Sequence, residues 1–199
     1  MTLDSTIRAV QAKIGVTVDG NPGPQTWAAI YRQIVGEPPQ TTDAKTLADA
    51  RSAQTIGTLL PPVQPLARAL IESAGGVGIA IKIISGTRTY EEQDALYEQG
   101  RSKPGPIVTN ARGGYSNHNF GVAFDIGVFE GGRYLDESPA YKAVGALGKQ
   151  HGLEWGGDWK SIQDEPHFEL RPAWARDMSE GAMLAELRNR RAANREVFA

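Results

Sequence analysis

Val122-Ala123-Phe124-Asp125-Ile126-Gly127-Val128 decides how this chain is read, because its alternation separates two kinds of surface. Val122, Phe124, Ile126 and Val128 fall on one face of a strand, and Ala123, Asp125 and Gly127 fall on the other. Asp125 therefore emerges from a face cleared of bulk, with room beside it for an ion and a substrate. Just upstream, Ser116-Asn117-His118-Asn119-Phe120-Gly121 places a histidine seven residues before the aspartate. A continuous strand would hold His118 and Asp125 roughly 23 Å apart on opposite sides. A turn must intervene, and Gly121 can supply it.

A second stretch, Asp164-Glu165-Pro166-His167-Phe168-Glu169, completes the pattern. Pro166 favours extended backbone before it, so Asp164, Glu165 and His167 do not share one helical turn. His167 and Glu169 then lie on one strand face, with Phe168 and Leu170 on the buried one. His118, Asp125 and His167 make a set of three zinc ligands that leaves a fourth position for water, the arrangement of a catalytic and not a structural site. One Zn2+ per chain is expected, lowering the pKa of that water toward about 7. Asp164, three residues before His167, is placed to act as general base without being a ligand.

Ser-x-His-x-x-Gly-x-x-x-Asp followed by Asp-x-x-His-Phe-Glu resembles the zinc D,D-carboxypeptidase and L-alanyl-D-glutamate peptidase family, peptidase family M15, which cuts peptidoglycan stem peptides. The run Thr109-Asn110-Ala111-Arg112-Gly113-Gly114-Tyr115-Ser116-Asn117-His118-Asn119 is most similar to its endolysin-like endopeptidase branch. The resemblance covers roughly residues 60–170. It implies His118, Asp125 and His167 as zinc ligands, Asp164 as the catalytic acid/base, and Arg88 of Ser85-Gly86-Thr87-Arg88 as a contact to the substrate carbonyl or its developing oxyanion. It also favours Trp155, within Trp155-Gly156-Gly157-Asp158-Trp159, as a wall of the substrate groove. Many members of the family carry Glu where this chain has Asp164, and the shorter carboxylate still reaches a water on the metal.

Read from the residues alone, the alternative for Arg88 is a salt bridge with a nearby acid, and either Trp is equally suited to capping the core. Ser116 is a hydrogen-bonding group for the site or substrate. It is not a nucleophile, because both plausible histidine bases are better used on metal. His151, at the end of a helix expected over 139–150, suits a donor at a helix C-terminus.

The chain has 199 residues, room for one good core and a small accessory module. A net charge of −2 gives no electrostatic case for nucleic acid, and the absence of Cys excludes disulfides, thiolate metal sites and cysteine catalysis. Met1-Thr2-Leu3-Asp4-Ser5-Thr6-Ile7-Arg8 has neither the basic start nor the apolar run of a signal peptide, and no apolar stretch reaches spanning length. Synthesis in the cytoplasm without stable membrane insertion is therefore expected. With the resemblance, that implies access to the wall as for a phage lysis enzyme, through a membrane opened by a partner. A monomer is expected.

Residues 1–36 read as a helical module. Ile7, Val10 and Ile14 mark one helix and Trp27, Ile30, Tyr31 and Ile34 another, and Asp19-Gly20-Asn21-Pro22-Gly23-Pro24-Gln25-Thr26 between them resembles the signature of peptidoglycan-binding modules. A Pro-rich linker and connecting helix follow over 37–62, with helix expected over 46–60. The zinc peptidase domain spans 63–175: a helix over about 65–73, a strand through Ile79, Ile81 and Ile83, and a helix over 90–99 opened by a Thr89/Glu92 capping box. A helical tail, 176–199, carries Met183, Leu184 and Leu187 on one side and Arg188, Arg190, Arg191 and Arg195 as a basic face. That face suits either an acidic surface or an ordinary solvated helix docked on the core. The fold class is α+β: a short antiparallel sheet bearing the zinc site, with helices packed on its other face.

The resemblance implies a zinc endopeptidase for the L-Ala-D-Glu bond of bacterial peptidoglycan. A D-Ala-D-Ala carboxypeptidase on the same polymer is the alternative within the enzyme class, and the ligands do not separate the two. A zinc-containing, non-catalytic wall-binding protein, on a scaffold like that of hedgehog signalling domains, is the alternative outside it.

Overall fold

The alternating stretch forms β2 (Ala123–Glu130), the central strand of a five-stranded antiparallel sheet. The computed structural model describes residues 2–35, 49–160 and 163–199. One edge of β2 pairs with β1 (Ala80–Ser85); the other is shared by β5 (His167–Glu169) along its first half and β3 (Arg133–Leu135) along its second. β4 (Glu154–Trp155) continues the sheet beyond β5. Asp125 stands directly opposite His167, and Phe124 opposite Phe168 with the two rings stacked 5.8 Å apart. A cross-strand aromatic pair of this kind, in the core, fixes the register.

Phe124, Ile126, Val128, Ile81, Ile83 and Phe168 point from one face of the sheet into a buried cluster. Three helices cover them: α3 (Ala50–Gly57), α4 (Gln64–Gly76) and α6 (Ala140–Gln150). α6 lies close to the sheet because it carries Gly145 and Gly148 where larger side chains would collide with Trp155 and Phe168. The α+β arrangement and the faces of β1 and β2 are as the alternation predicts.

The differences have local causes. Val122 is buried, but it precedes the strand and packs in a second cluster with Phe120, Ala175, Met183, Leu184 and Leu187, because Gly121 turns the chain at φ 70°. That cluster sits beneath α7 (Glu180–Ala192). α4 runs on through Gly76 instead of stopping near 73. α3 begins at Ala50, where Asp49 accepts the Ser52 amide as its N-cap; the Pro-rich start of the linker expected within 37–62 and the first residues of the helix expected over 46–60 lie outside the described residues. α5 (Tyr90–Glu98) has the expected capping box, with Thr89 and Glu92 bonding each other's backbone amides.

At the amino terminus α1 (Leu3–Ile14) and α2 (Pro24–Val35) form a hairpin. Its centre is polar: buried Gln11 donates to Asp19, Thr26 and the Asn21 carbonyl, and accepts from the Gly20 amide. Ile7, Val10 and Ile14 are half-buried, whereas Trp27, Tyr31 and Ile34, whose spacing marks the second helix, are exposed. Among the described residues no helix is long and apolar enough to cross a membrane.

The contact of α6 with the sheet gives a stability test. Gly148→Ala forces a Cβ onto the ring of Phe168, the neighbour of His167 on β5. Overpacking of this kind costs about 1–3 kcal/mol, so the urea midpoint of Gly148→Ala falls accordingly, while Gly57→Ala, whose Cβ meets open space, does not destabilise.

Candidate metal centre

Three elements deliver three donor atoms to one point. Asp125 leaves β2 on the face opposite the core, and its register partner His167 leaves β5 on the same face. His118 comes from a 3-10 turn, Asn117–Phe120, that Gly121 closes in the left-handed conformation. Buried Asn119 anchors that turn by donating to the carbonyls of Arg88 and Thr89 and accepting from the Gly114 amide, while the Arg88 amide bonds the His118 carbonyl. The expected turn between His118 and Asp125 is this one.

The donor atoms form a nearly equilateral triangle. His118 Nε2 lies 3.2 Å from Asp125 Oδ1 and 3.3 Å from His167 Nδ1, and His167 Nδ1 lies 3.3 Å from Asp125 Oδ1. Ligands about 2.0–2.1 Å from a tetrahedral zinc are about 3.3–3.4 Å from each other, so the triangle has the size of one face of that tetrahedron. The proton inventory agrees. His118 Nδ1 meets the Gly86 carbonyl at 2.8 Å, which only accepts, so that nitrogen holds a proton. His167 Nε2 likewise donates to Glu169 at 3.0 Å. In the neutral rings both site-facing nitrogens therefore present lone pairs, toward each other and toward a carboxylate. Three acceptors with no donor among them fit a cation.

The surroundings sharpen that charge pattern. Burial would raise the Asp125 carboxyl, but the two imidazoles hold it well below the usual carboxylate range. Burial would lower His167, yet Asp125 and Glu169 on either side push it up to about 10 when no metal is present. Asp164 moves the other way: burial, then the Asp125 charge, raise its carboxyl. Asp164 is close enough to feel Asp125, His167, His118 and Arg88, yet it is not part of the triangle, and its carboxylate takes no hydrogen bond among the described residues. Its backbone closes the turn before β5, accepting from the His167 amide and donating to Gly156.

The remaining predicted residues take places that sequence left open. Arg88 forms a salt bridge to Asp125 Oδ2 at 2.7 Å; its other nitrogens reach Ser85 and Gln93, and one Nη1 hydrogen is left unused by the described residues. The irregularity in β1 between Ile83 and Ser85 is what brings Ser85 opposite Asp125. Ser116 begins the 3-10 turn with its carbonyl, not its hydroxyl. Trp155 is a core residue, 8% exposed, with its indole N–H on the Glu165 carbonyl, so it supports the 164–165 turn from beneath instead of lining a groove. Trp159 is the exposed indole, 38%, tilted over the His167 ring at 4.9 Å. His151 caps α6 and bonds Ser73, well apart from the triangle. The face beyond Asp125 is not wholly open either, since the Tyr134 ring fills the space beside Gly127.

Metal and proton compete for His167 Nδ1. At about pH 8, metal uptake by the chelated chain should release about one proton, read by titration calorimetry in buffers of different ionisation enthalpy. The folded-state value is raised from 6.5 to about 10. Protonated His167 therefore stabilises the metal-free fold fully below pH 6.5, and that contribution is lost as pH rises through about 10. The urea midpoint of the metal-free chain should fall over that window, and the metal-loaded chain should not follow it.

Comparison with known proteins bears on these features. Residues 109–170, which contain all three triangle residues, match an M15 peptidase family described as D-alanyl-D-alanine carboxypeptidase. The peptidoglycan L-alanyl-D-glutamate endopeptidase CwlK of Bacillus subtilis (strain 168) is 40% identical over 126 residues, covering 57% of this chain and 74% of that protein. The L-alanyl-D-glutamate peptidase of Listeria phage A118 is 31% identical over 125 residues, 61% of this chain but 41% of that protein. The crystal structure of the Serratia marcescens L-Ala D-Glu endopeptidase ChiX overlays with a TM-score of 0.49 at 22% identity, covering 61% of this chain and 87% of that one. At 40% identity across 74% of the Bacillus protein, and with residues 109–170 matching the family's model, the chain belongs to the M15 family of metallopeptidases.

Proposed function

We propose that the chain is a zinc-dependent peptidoglycan endopeptidase that hydrolyses the L-Ala-D-Glu bond of stem peptides, with His118, Asp125 and His167 as ligands and Asp164 as general acid and base. The observation that carries the proposal is the triangle of lone pairs beside a separate carboxylate that takes no hydrogen bond among the described residues. The two relatives named for that bond supply the substrate. Zinc held by His118, Asp125 and His167 would supply a Lewis acid able to acidify water and polarise the scissile carbonyl. Asp164 takes the proton of the attacking water on a carboxylate oxygen and returns it to the nitrogen of the leaving amine. Its raised pKa suits both halves of that exchange.

Arg88 holds Asp125 by one oxygen so that Oδ1 faces the metal position, and its spare Nη1 hydrogen can meet the substrate carbonyl oxygen. Trp159, and not Trp155, forms the apolar wall beside His167. Ser116, at the mouth of the His118 turn, is available for a polar contact with the peptide. A wall-contacting role for the amino-terminal unit, residues 1–36, is supported by its outward Trp27 and Tyr31, and a phage lysis role by the Listeria phage relative. The matched family's description favours a second reading, a D-Ala-D-Ala carboxypeptidase at the same centre.

Digestion of purified peptidoglycan tests both. New glutamate amino termini that vanish with chelator and return with zinc support the endopeptidase; free D-alanine without them overturns it in favour of the carboxypeptidase. Asp164→Ala should retain one zinc per chain and lose about 10²–10⁴-fold in rate. Full activity in that variant would remove Asp164 from the mechanism.

A further inference from the structure

The sequence places α7 after the last metal-centre motif, and nothing in its composition marks it as part of the site. In the structure it touches both ligand-bearing segments. Glu180, in its first turn, accepts a hydrogen bond from Asn117 Nδ2 at 2.7 Å. The same nitrogen donates to Glu169 Oε2, and that oxygen accepts from His167 Nε2. Four residues thus link the amino-terminal end of α7 to the far side of the His167 ring.

Farther along the helix, Arg188 donates to the Gly114 carbonyl and stacks over Tyr115, and Arg191 donates to the Asn119 carbonyl and stacks over Tyr90. These contacts grip the chain on both sides of His118. Beneath them Met183, Leu184 and Leu187 pack on Phe120 and Val122, the link from the His118 turn to the strand of Asp125.

The orientation of Asn117 shows which contacts govern it. Its Oδ1 is buried with no partner among the described residues, while Nδ2 serves two carboxylates. A flipped amide would set Oδ1 against both acids, so the pair Glu169 and Glu180 selects the observed orientation at the expense of a bare acceptor. Glu180 is in turn held by Arg171 at 2.9 Å, which also bonds Glu154 of β4 and the carbonyls of Ala175 and Met178.

We propose that α7 is the outer support of the metal centre and Glu180 its positioning residue, fixing the His167 ring through Asn117 and Glu169 while Arg188 and Arg191 pin the turn that carries His118. The inference rests on the metal-site reading and adds to it a helix beyond the matched residues 109–170. Groups that orient metal-binding imidazoles typically change metal affinity by 10–100-fold when removed.

Zinc affinity of the full chain, measured by competition with a chromogenic chelator, tests this without recourse to activity. Glu180→Ala should bind zinc at least about tenfold more weakly, and cobalt loaded in its place should show an altered visible spectrum. Glu180→Gln, whose amide oxygen accepts the same hydrogen bond, should stay within about threefold of the parent. Arg190→Ala is the control: among the described residues the Arg190 guanidinium meets only Glu186, Trp174 and the Glu196 and Ala199 carbonyls, so the substitution should lower the melting temperature of the metal-free chain without moving zinc affinity. Parental affinity in Glu180→Ala overturns the proposal, as does an equal loss in Arg190→Ala, which would reduce the effect to helix docking. A parent chain that takes up no zinc overturns the metal-site reading itself.

Discussion

The pairing of Asp125 with His167 across two antiparallel strands is the constraint on which the rest depends. Because side chains alternate, a slip of one residue between β2 and β5 would send one of these two side chains into the core and bring a phenylalanine out in its place. The stacked Phe124 and Phe168 rings on the opposite face resist that slip. The small residues of α6 let the helix approach closely enough to bury those rings. Core packing and site geometry are therefore one requirement, seen from two sides of a single sheet.

Electrostatics imposes the second requirement. A carboxylate and two imidazole lone pairs within 3.3 Å of one another repel unless something positive stands between or beside them. Arg88 meets part of the need by taking Asp125 Oδ2, leaving Oδ1 for the shared point. Gly86 and Glu169 meet another part by holding each ring's remaining proton on the outside. What is left is a position for one cation, which in the metal-free chain a proton on His167 fills. Such a site has evident reason to be rigid: loosening any outer partner lets the rings rotate to relieve the repulsion.

Much of this was legible in the order of residues. The period-two run through Asp125 fixed the strand and its faces, Gly121 marked the turn, Pro166 excluded a helix before His167, and Thr89 with Glu92 placed the start of α5. Those signals are local and carry their physics within a few residues. The assignments that needed distance information were not legible. Trp155 and Trp159 are four apart with similar neighbours, and only the approach of α6, through Gly145, decides which is buried. Arg88 reads as a substrate contact or an ion pair until the bulge in β1 sets Ser85, and with it the guanidinium, against Asp125. The basic face of α7 reads either as a patch for an acidic surface or as a helix docked on the core until its arginines are seen to stack on aromatic rings and bond carbonyls of the His118 loop. The outward Trp27 and Tyr31 were not legible for a similar reason: the hairpin core is built on Gln11, and an apolar stripe does not reveal which side a polar hub will occupy.

Two aspartates, both buried to some degree beside the same histidines, are driven in opposite directions by their partners. Asp125 lies in contact with both imidazoles and Arg88, and the imidazoles favour its charge strongly enough to overcome burial. Asp164 stands one layer away, beyond hydrogen-bond reach of those groups, and feels chiefly burial and the negative charge of Asp125. One carboxylate is thereby fixed as an anion suited to a cation, and the other is left able to gain and lose a proton. Opposite shifts in two identical side chains follow from placement alone. The register of β5 decides it, because the turn that puts His167 opposite Asp125 also stops Asp164 short of the triangle.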